Sequence, residues 1–119
     1  MQNVKRADIY RLKDNGTPYS KPRPIVIVSV DALNRGNSVT AIPFYSQQIE
    51  DRRNRPYCVF YHRGQGGLEK DCIAKADEIS LIDKLEIDFA KGPVGRFNHS
   101  EMALLEDAIR YVLGFPEAP

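Results

Sequence analysis

The distribution of apolar and polar residues predicts a chain built mainly from short β-strands. Alternation over Ala7 to Leu12 places Ile9 on one face and Tyr10 on the other, as in a strand. The run Ile-Val-Ile-Val within Pro24 to Ser29 is continuous, which indicates a strand buried on both faces. Further strands are predicted at Ser38 to Tyr45, at Tyr57 to His62 or Arg63, at about Cys72 to Ser80, and, as a short last strand, within Gly92 to Phe97.

Segments rich in Gly, Pro, Asn and Asp separate these strands and predict their connections. Asn15-Gly16 is the strongest turn signal, and Gly64 to Gly67 makes a tight reversal that should join two strands as a hairpin. Leu81 to Lys91 fits a short helix from Asp83 or a turn equally well. The other connections are predicted as a flexible loop over Lys13 to Ser20, one helical turn over Asp31 to Arg35 capped by Asp31, and a long exposed basic loop over Gln47 to Pro56.

The segment Asn98 to Leu113 has the pattern of an amphipathic helix. Asn98 and Glu101 form a capping-box arrangement at its start, and Gly114 is a suitable stop. One apolar stripe, expected to contact the core or a second copy of the chain rather than a cofactor, consists of Met102, Leu105, Ile109 and Val112.

The order of the elements, several short strands followed by one terminal helix, predicts a mainly β fold. Strands and helices do not alternate, so a parallel sheet is not expected. The pattern fits a small antiparallel barrel or curled sheet closed by the C-terminal helix. A length of 119 residues suits one domain, expected over residues 1–115, with a disordered tail at 116–119.

Composition narrows the classes of function. The chain is 42% apolar and 28% charged, which is ordinary for a soluble protein, and no run approaches the ~18 apolar residues of a membrane span. The first twenty residues have no apolar run typical of a secretory signal, so Cys58 and Cys72 are expected to be thiols in the cytoplasm. Residues 1–70 hold 12 Lys/Arg and 6 Asp/Glu, whereas residues 71–119 hold 5 and 10. This split indicates a basic face that attracts phosphate, or else a mixed soluble surface.

A well-oriented cation is predicted at Arg23, which lies between Pro22 and Pro24 at the start of the second strand. Each proline fixes its own φ near −65° and restricts the residue before it to extended backbone. Arg23 should therefore leave the chain in one direction, suited to binding an anion. A solvated side chain at a strand entrance is the alternative.

Neither a metal site nor a nucleotide loop is expected, and no cofactor is predicted. Cys58 and His62 are four residues apart on a predicted strand, roughly 13 Å at about 3.3 Å per residue, too far to share an ion. With Cys72 and His99 they form no CxxC or HExxH motif. The glycines from Gly64 to Gly67 lack the spacing of a phosphate-binding loop.

Lys75 and Asp77 lie two residues apart on the predicted fifth strand and should therefore share a face, about 6.6–7 Å apart. They interrupt an otherwise apolar row that includes Ile73 and Ile79. The two charges form a strand salt bridge on a solvated face, or an acid–base and charge-stabilising pair in a groove.

Aromatic and cationic residues are mixed near the predicted strand ends, a combination that suits single-stranded nucleic acid and also occurs on plain protein surfaces. Tyr45 could donate a hydrogen bond or stack on a base, and Ser46 is typical of a turn. The set comprises Tyr10, Tyr19, Phe44, Tyr45, Arg52, Arg53 and Arg55.

Four ordered stretches resemble the MazF/PemK (Kid) family of toxin endoribonucleases. Val4-Lys-Arg-Ala-Asp-Ile-Tyr10 is similar to the opening V-x-R-G-D-I-Y/W, and Lys21-Pro-Arg-Pro-Ile-Val-Ile-Val-Ser29 to the R-P-V/A-L-V-I-S block. Gly64-Gln-Gly-Gly-Leu68 with Lys70-Asp71 and Ala74-Lys-Ala-Asp-Glu-Ile79 resembles the G-L-x-K-D-S and A-x-x-D-Q-I hairpin. Val94-Gly95-Arg96-Phe97 and the helix after it resemble the family's ending, so the resemblance covers residues 4 to 115.

The resemblance implies a small SH3-like antiparallel barrel of the CcdB/PemK type that forms a homodimer. It also implies metal-independent, sequence-specific cleavage of single-stranded RNA such as mRNA, in the cytoplasm. A small acidic antitoxin similar to MazE or PemI would be the inhibitor, and operator DNA would be bound only through the antitoxin complex.

The resemblance also assigns roles to residues for attack of the ribose 2′-hydroxyl on the adjacent phosphate. Arg23 would stabilise the phosphate, with protonation of the leaving group as a further role. Asp77 would be the base and Lys75 a charge stabiliser. Ser46 would be a catalytic hydroxyl, while the substrate-binding set would be Tyr45, Arg52, Arg53 and Glu78.

Three positions depart from the family pattern. Tyr45 replaces a threonine thought to act with the arginine, Cys72 stands where serine is common, and Glu78 where glutamine is common. These departures leave a second hypothesis open: a non-catalytic module of the same fold that binds RNA or a protein, or poisons a target as CcdB does. The chain contains no tryptophan, and so lacks the C-terminal tryptophan of that gyrase poison.

Overall fold

Seven strands form one antiparallel, curled sheet in the computed structural model, which describes residues 3–14 and 23–116. The order across the sheet is β4-β5-β3-β2-β1-β7, and β6 pairs with β3 beside this path. The strands are β1 (Asp8–Arg11), β2 (Pro24–Ile27), β3 (Ser38–Tyr45), β4 (Cys58–Tyr61), β5 (Cys72–Lys75), β6 (Ser80–Asp83) and β7 (Gly95–Arg96).

The long strand β3 organises the sheet. Its residues 41–43 pair with β2 along one edge, while its other edge pairs first with β6 at residues 38–41 and then with β5 at residues 44–45. The end of β3 therefore lies between the start of β2 and the first residues of β5. These neighbours bring residues distant in sequence to one place.

Both faces of β1 and β2 are covered, as the continuous apolar run of β2 predicted. Ile9 and Val26 belong to one buried cluster, whereas Tyr10 and Ile25 belong to a second cluster on the opposite face. The first cluster also contains Phe44, Tyr61, Phe97, Met102 and Leu105.

The helix α3 (His99–Leu113) closes the first cluster. Asn98 accepts a hydrogen bond from the Glu101 amide at 2.8 Å, and Glu101 accepts one from the Asn98 amide at 2.8 Å. The predicted capping box is therefore confirmed, as are the core-facing positions of Met102 and Leu105. Gly114 ends the helix in the left-handed conformation that favours glycine.

A glycine contact holds β7 against the turn after β4. A Cβ atom on Gly95 would lie 2.1 Å from the carbonyl oxygen of Gly66, and one on Gly67 would lie 2.3 Å from that of Val94. Only residues without a side chain allow the two backbones to approach this closely.

Short helices occur in three segments where the sequence predicted loops or turns. The basic segment 47–56 contains the four-residue helix α2 (Ile49–Arg52). The helix α1 (Asp31–Asn34), by contrast, lies where one helical turn was predicted. Asp83 caps a 3₁₀ turn at Lys84–Glu86, which answers the choice left open for residues 81–91. Further 3₁₀ turns lie at Gln65–Gly67, Ala76–Glu78 and Phe89–Lys91.

Two expectations were wrong in detail and two fall outside the described residues. Asp31 does not cap α1; its carboxylate instead accepts a hydrogen bond from the Arg6 amide at 2.7 Å. The fifth strand ends at Lys75, and the chain then makes a 3₁₀ turn before β6. The loop prediction for residues 15–20 and the tail prediction for residues 117–119 lie outside the described part of the chain. Within that part, no helix is long and apolar enough to cross a membrane.

Candidate active site

A groove of about 560 Å³ lies at the start of β2 and the end of β3. Phe44, Leu68 and Val94 contribute apolar surface to it. The charged side chains lining it, among the described residues, are four cations and one acid: Arg11, Arg23, Arg52, Lys70 and Glu69. A positive groove with apolar patches can bind a phosphate together with the sugar or base attached to it.

Arg23 stands at the entrance of β2, as the sequence predicted. Its carbonyl accepts a hydrogen bond from the Leu12 amide at 3.0 Å, which ties the backbone to the end of β1. Its guanidinium carbon lies 4.0 Å from the centre of the Tyr45 ring, a cation–π contact. The backbone of Arg23 is therefore fixed by β1, and its guanidinium rests against the Tyr45 ring while the residue lines the groove.

Tyr45 lies at the centre of a charged cluster. Besides Arg23, the guanidinium of Arg52 lies 5.1 Å from its ring centre and the ammonium of Lys75 lies 5.3 Å from it. The Tyr45 hydroxyl donates a hydrogen bond to the Glu78 carboxylate. Burial, followed by this hydrogen bond, raises the pKa of Tyr45 although the nearby cations act in the opposite direction.

Glu78 is paired with Lys75 as well as with Tyr45. The Lys75 ammonium donates to the Glu78 carboxylate at 2.7 Å. Burial would raise the pKa of Glu78, but the hydrogen bonds from Lys75 and Tyr45 outweigh it and hold that pKa below its usual value. The same bond raises the pKa of Lys75. Both partners are therefore charged near neutral pH.

The predicted geometry of Lys75 and Asp77 was wrong because the strand does not continue through them. The 3₁₀ turn Ala76–Glu78 follows Lys75 directly, so that Glu78 makes the short contact to Lys75. The Asp77 carboxylate remains 3.9 Å from the Lys75 ammonium. Contact with Tyr45 is made by Glu78.

The two neighbouring arginines of the basic segment point to different places. Arg52, at the end of α2, lines the groove, whereas the guanidinium of Arg53 lies 4.1 Å from the centre of the Phe60 ring on β4. Arg53 also pairs with Glu50 at 3.2 Å. The structure therefore brings Arg52 to the predicted site and leaves Arg53 outside the groove lining.

Ser46 lines the groove directly after Tyr45, in agreement with its predicted position at a strand end.

Arg11 and Lys70 also line the groove but were not predicted from the sequence as site residues. Arg11 pairs in register with Pro24 across β1 and β2, so the alternation of the first strand could have placed it beside Arg23. It also forms an ion pair with Glu69 at 2.8 Å. Lys70 stands inside the resemblance motif but has no distinguishing local pattern.

No cluster of three or more His, Cys, Asp or Glu side chains in the described ranges could hold a metal ion. Cys58 and Cys72 are buried free thiols, and burial raises the pKa of each.

A second, more open hollow of about 370 Å³ lies on another part of the surface, between α1, β3 and α3. Its apolar lining includes Leu33 and Ile109. Leu33 is 67% exposed, and Leu81, which pairs in register with Thr40 of the same hollow, is 72% exposed. Large apolar side chains grouped at a surface indicate an interface.

Comparison with known proteins supports one family. The model of the family described as PemK-like, MazF-like toxin of type II toxin–antitoxin system matches residues 5–113. No protein of curated function matches the sequence.

Solved structures share the fold over nearly the whole chain. An endoribonuclease in complex with its cognate antitoxin, from a mycobacterial species, is 27% identical with a TM-score of 0.77, and the match covers 97% of this chain and 99% of that one. The MazE–MazF complex from Deinococcus radiodurans (Form-III) is 15% identical with a TM-score of 0.73, covering 97% and 100%. The toxin MazF-mt6 of Mycobacterium tuberculosis is 17% identical with a TM-score of 0.73, covering 92% and 99%. The last two establish similarity of fold alone.

Proposed function

The chain belongs to the PemK-like, MazF-like toxin family of type II toxin–antitoxin systems, and from this premise we propose that it is an endoribonuclease that cleaves single-stranded RNA. The reaction is attack of a ribose 2′-hydroxyl on the adjacent phosphate, without a metal ion, at a preferred sequence in mRNA. The toxin acts in the cytoplasm.

The observation that carries this proposal is the position of Arg23 in the groove. Its side chain is supported by the Tyr45 ring at 4.0 Å, and three more cations line the same groove. The phosphorane formed in the reaction has one more negative charge than the phosphodiester, so fixed cations stabilise the transition state more than the ground state. Arg23 binds the phosphate, and Lys75 and Arg52 add to the positive field.

The remaining roles fall to neighbouring side chains. Ser46 lines the groove and can hydrogen-bond a phosphate oxygen. A carboxylate beside Lys75 accepts the proton of the 2′-hydroxyl: the resemblance assigns this role to Asp77, and Glu78 lies closer to Lys75. Arg53, which stacks on Phe60, contacts RNA that extends past the groove.

A small acidic antitoxin is the proposed inhibitor. The mycobacterial relative was solved with its cognate antitoxin, and an acidic segment complements the cations of the groove. Operator DNA is bound only by the toxin–antitoxin complex. The exposed apolar groups Leu33 and Leu81 support a homodimer formed through the second hollow.

The test is cleavage of a pool of single-stranded RNA by the purified protein in the presence of a chelator. The wild type and Arg35→Ala should give the same new fragments, because Arg35 is an exposed residue outside the groove lining. Arg23→Ala should lose at least about 100-fold of the rate, as expected for a group that stabilises transition-state charge. Equal amounts of intact RNA with all three proteins would contradict the proposal.

One observation favours a second function, binding without cleavage. The Arg23 guanidinium is already engaged by the Tyr45 ring, which replaces the smaller threonine of the family pattern. In that case the wild type would bind RNA and yield no product, and Arg23→Ala would weaken binding alone.

A further inference from the structure

The hydrogen bond between Tyr45 and Glu78 joins two of the three positions at which the sequence departs from its family's pattern. They are 33 residues apart in the chain and meet because β3 pairs with β5 and the turn Ala76–Glu78 follows β5 directly. A glutamine at position 78 could accept the same hydrogen bond, but an amide cannot take up the proton. A carboxylate paired with a phenol therefore adds a capability that tyrosine with glutamine would lack.

The direction of this hydrogen bond determines what Tyr45 can offer to a ligand. A phenol has one proton, and that of Tyr45 is donated to Glu78. Towards the groove, which Tyr45 lines, its oxygen can consequently only accept a hydrogen bond. A hydroxyl of a bound ribose is a suitable donor.

Glu78 is the partner of Tyr45 that lies outside the groove lining. Tyr45 belongs to the groove lining, whereas Glu78 does not, and its carboxylate is held by Tyr45 on one side and by Lys75 at 2.7 Å on the other. Of the two partners in this hydrogen bond, Tyr45 is the one that lines the groove and meets a bound substrate there. The Arg23 guanidinium lies 4.0 Å from the ring centre, so part of the Tyr45 ring is already in contact with a cation.

We propose, on the basis of the endoribonuclease function above, that Tyr45 accepts the proton of the attacking 2′-hydroxyl while passing its own proton to Glu78. Tyr45 is then the catalytic residue, and Glu78 is the positioning residue that receives the relayed proton. This assigns the base function to the Tyr45–Glu78 pair instead of Asp77.

The step balances without a cofactor. The 2′-oxygen forms a bond to phosphorus, its proton moves to the Tyr45 oxygen, and the Tyr45 proton moves to the Glu78 carboxylate. The bond from phosphorus to the 5′-oxygen breaks with its electron pair on that oxygen, which takes a proton from solvent water. Glu78 returns its proton to the resulting hydroxide, leaving a 2′,3′-cyclic phosphate and a free 5′-hydroxyl.

The charges around the pair favour this arrangement. Facing Tyr45 are Arg23 at the entrance of β2, Arg52 at the end of α2 and Lys75 at the end of β5, besides Glu78 itself. The cations compensate the charge that passes through the phenol oxygen during transfer. The pKa of Glu78 is held below its usual value by its hydrogen bonds, so the carboxylate is ionised at neutral pH before the reaction begins.

The experiment compares Tyr45→Phe, Glu78→Gln and the double variant with the wild type, in chelator, under single-turnover and steady-state conditions. The substrate is a single-stranded RNA oligonucleotide that the wild type cleaves, selected from a random pool. Matched controls are Tyr111→Phe and Glu86→Gln, which make the same chemical changes at exposed positions. Circular dichroism and a urea melt verify that each variant is folded.

Each single variant should lower kcat by about 10²–10⁴-fold, the range for loss of acid–base catalysis, with little change in KM. The double variant should be no slower than the slower single variant, because the two groups act as one unit. The controls should match the wild type.

A solvent-isotope proton inventory separates a relay from mere support of the structure. In mixtures of H₂O and D₂O, the wild type should show a curved dependence of rate, as two protons move in the step. The residual activity of Glu78→Gln should show a linear one, as the second transfer is lost.

Wild-type rates for either Tyr45→Phe or Glu78→Gln would overturn the relay while leaving the endoribonuclease function intact. The relay would also be overturned if Asp77→Asn abolished cleavage while Glu78→Gln did not. A wild type that cleaves no RNA would overturn both proposals. A wild type that cleaves and an Arg23→Ala variant that does not, together with wild-type rates for Tyr45→Phe and Glu78→Gln, would overturn the relay alone.

Discussion

Tyr61 and Tyr45 are the same residue type in two regions that use it differently. Tyr61 is fully buried beneath α3; its ring stacks on Phe97 with centroids 4.3 Å apart, and its hydroxyl donates to the Glu101 carbonyl at 2.7 Å. Tyr45 is half-buried at the groove, with three cations around its ring and a carboxylate at its hydroxyl. The chemistry of each tyrosine is therefore set by its neighbours.

The comparison separates a residue that holds the fold from one that can take part in a reaction. Burial raises the pKa of Tyr61, so its hydroxyl stays protonated as a fixed donor to the helix. Around Tyr45, a proton acceptor and charge-compensating cations are already in place. The difference predicts that changes at Tyr61 lower stability, whereas changes at Tyr45 lower activity.

The largest effect on stability is expected for Tyr61→Ala. Removing a fully buried aromatic side chain leaves a cavity among Phe44, Phe97 and the helix, which should lower the free energy of unfolding by about 3–5 kcal/mol. Tyr45→Ala, at a half-buried site, should lower it by about 1 kcal/mol, the scale of a partly exposed cation–π contact. Urea denaturation measures both, and equal losses would break the comparison.

A smaller effect is expected for Gly95→Ala, which tests how tightly the Tyr61 region is packed. The added methyl would lie 2.1 Å from the Gly66 carbonyl oxygen, so the backbones of β7 and the turn must separate. Overpacking of this kind lowers the free energy of unfolding by about 1–3 kcal/mol. Gly36→Ala is the matched control, because its methyl would meet only ordinary contact at 3.5 Å. An unchanged free energy of unfolding for Gly95→Ala would contradict this prediction and show that the turn can move away from β7.

The smallest effect is a pH dependence of stability from the Tyr45 region. The folded pKa of Glu78 lies below its unfolded value, so the unfolded state binds more protons between the two values. The stabilisation is complete above the unfolded pKa and is lost as the pH falls through the folded pKa. Glu78→Gln should remove this part of the acid dependence in urea melts across that range, whereas Glu86→Gln should retain it; identical curves for both variants would contradict the shift.

Regular patterns in the sequence predicted most of the fold. The alternation of β1, the continuous apolar run of β2 and the capping box of α3 each reflect a local rule that the packing also satisfies. By contrast, the four-residue helix α2 and the 3₁₀ turn after Lys75 are shorter than the window in which a period can be recognised. Tertiary contacts decide such short elements.

The site could be predicted only in part. The two prolines flanking Arg23 indicated an oriented cation, and that residue does line the groove. Lys75 pairs most closely with Glu78, and not with Asp77 as the sequence predicted, because of the 3₁₀ turn that was not predicted. The contact between Tyr45 and Glu78 depends on strand order, which no local pattern encodes.

The most direct test of the contrast is the cleavage rate of one single-stranded RNA by the wild type, Tyr45→Phe and Tyr61→Phe in a chelator. Each variant loses one hydroxyl and keeps its ring. We expect Tyr45→Phe to be slower by about 10²-fold or more, and Tyr61→Phe, which loses one hydrogen bond worth about 1 kcal/mol of stability, to cleave at the wild-type rate. A wild-type rate for Tyr45→Phe, or a comparable loss for a folded Tyr61→Phe, would contradict the account.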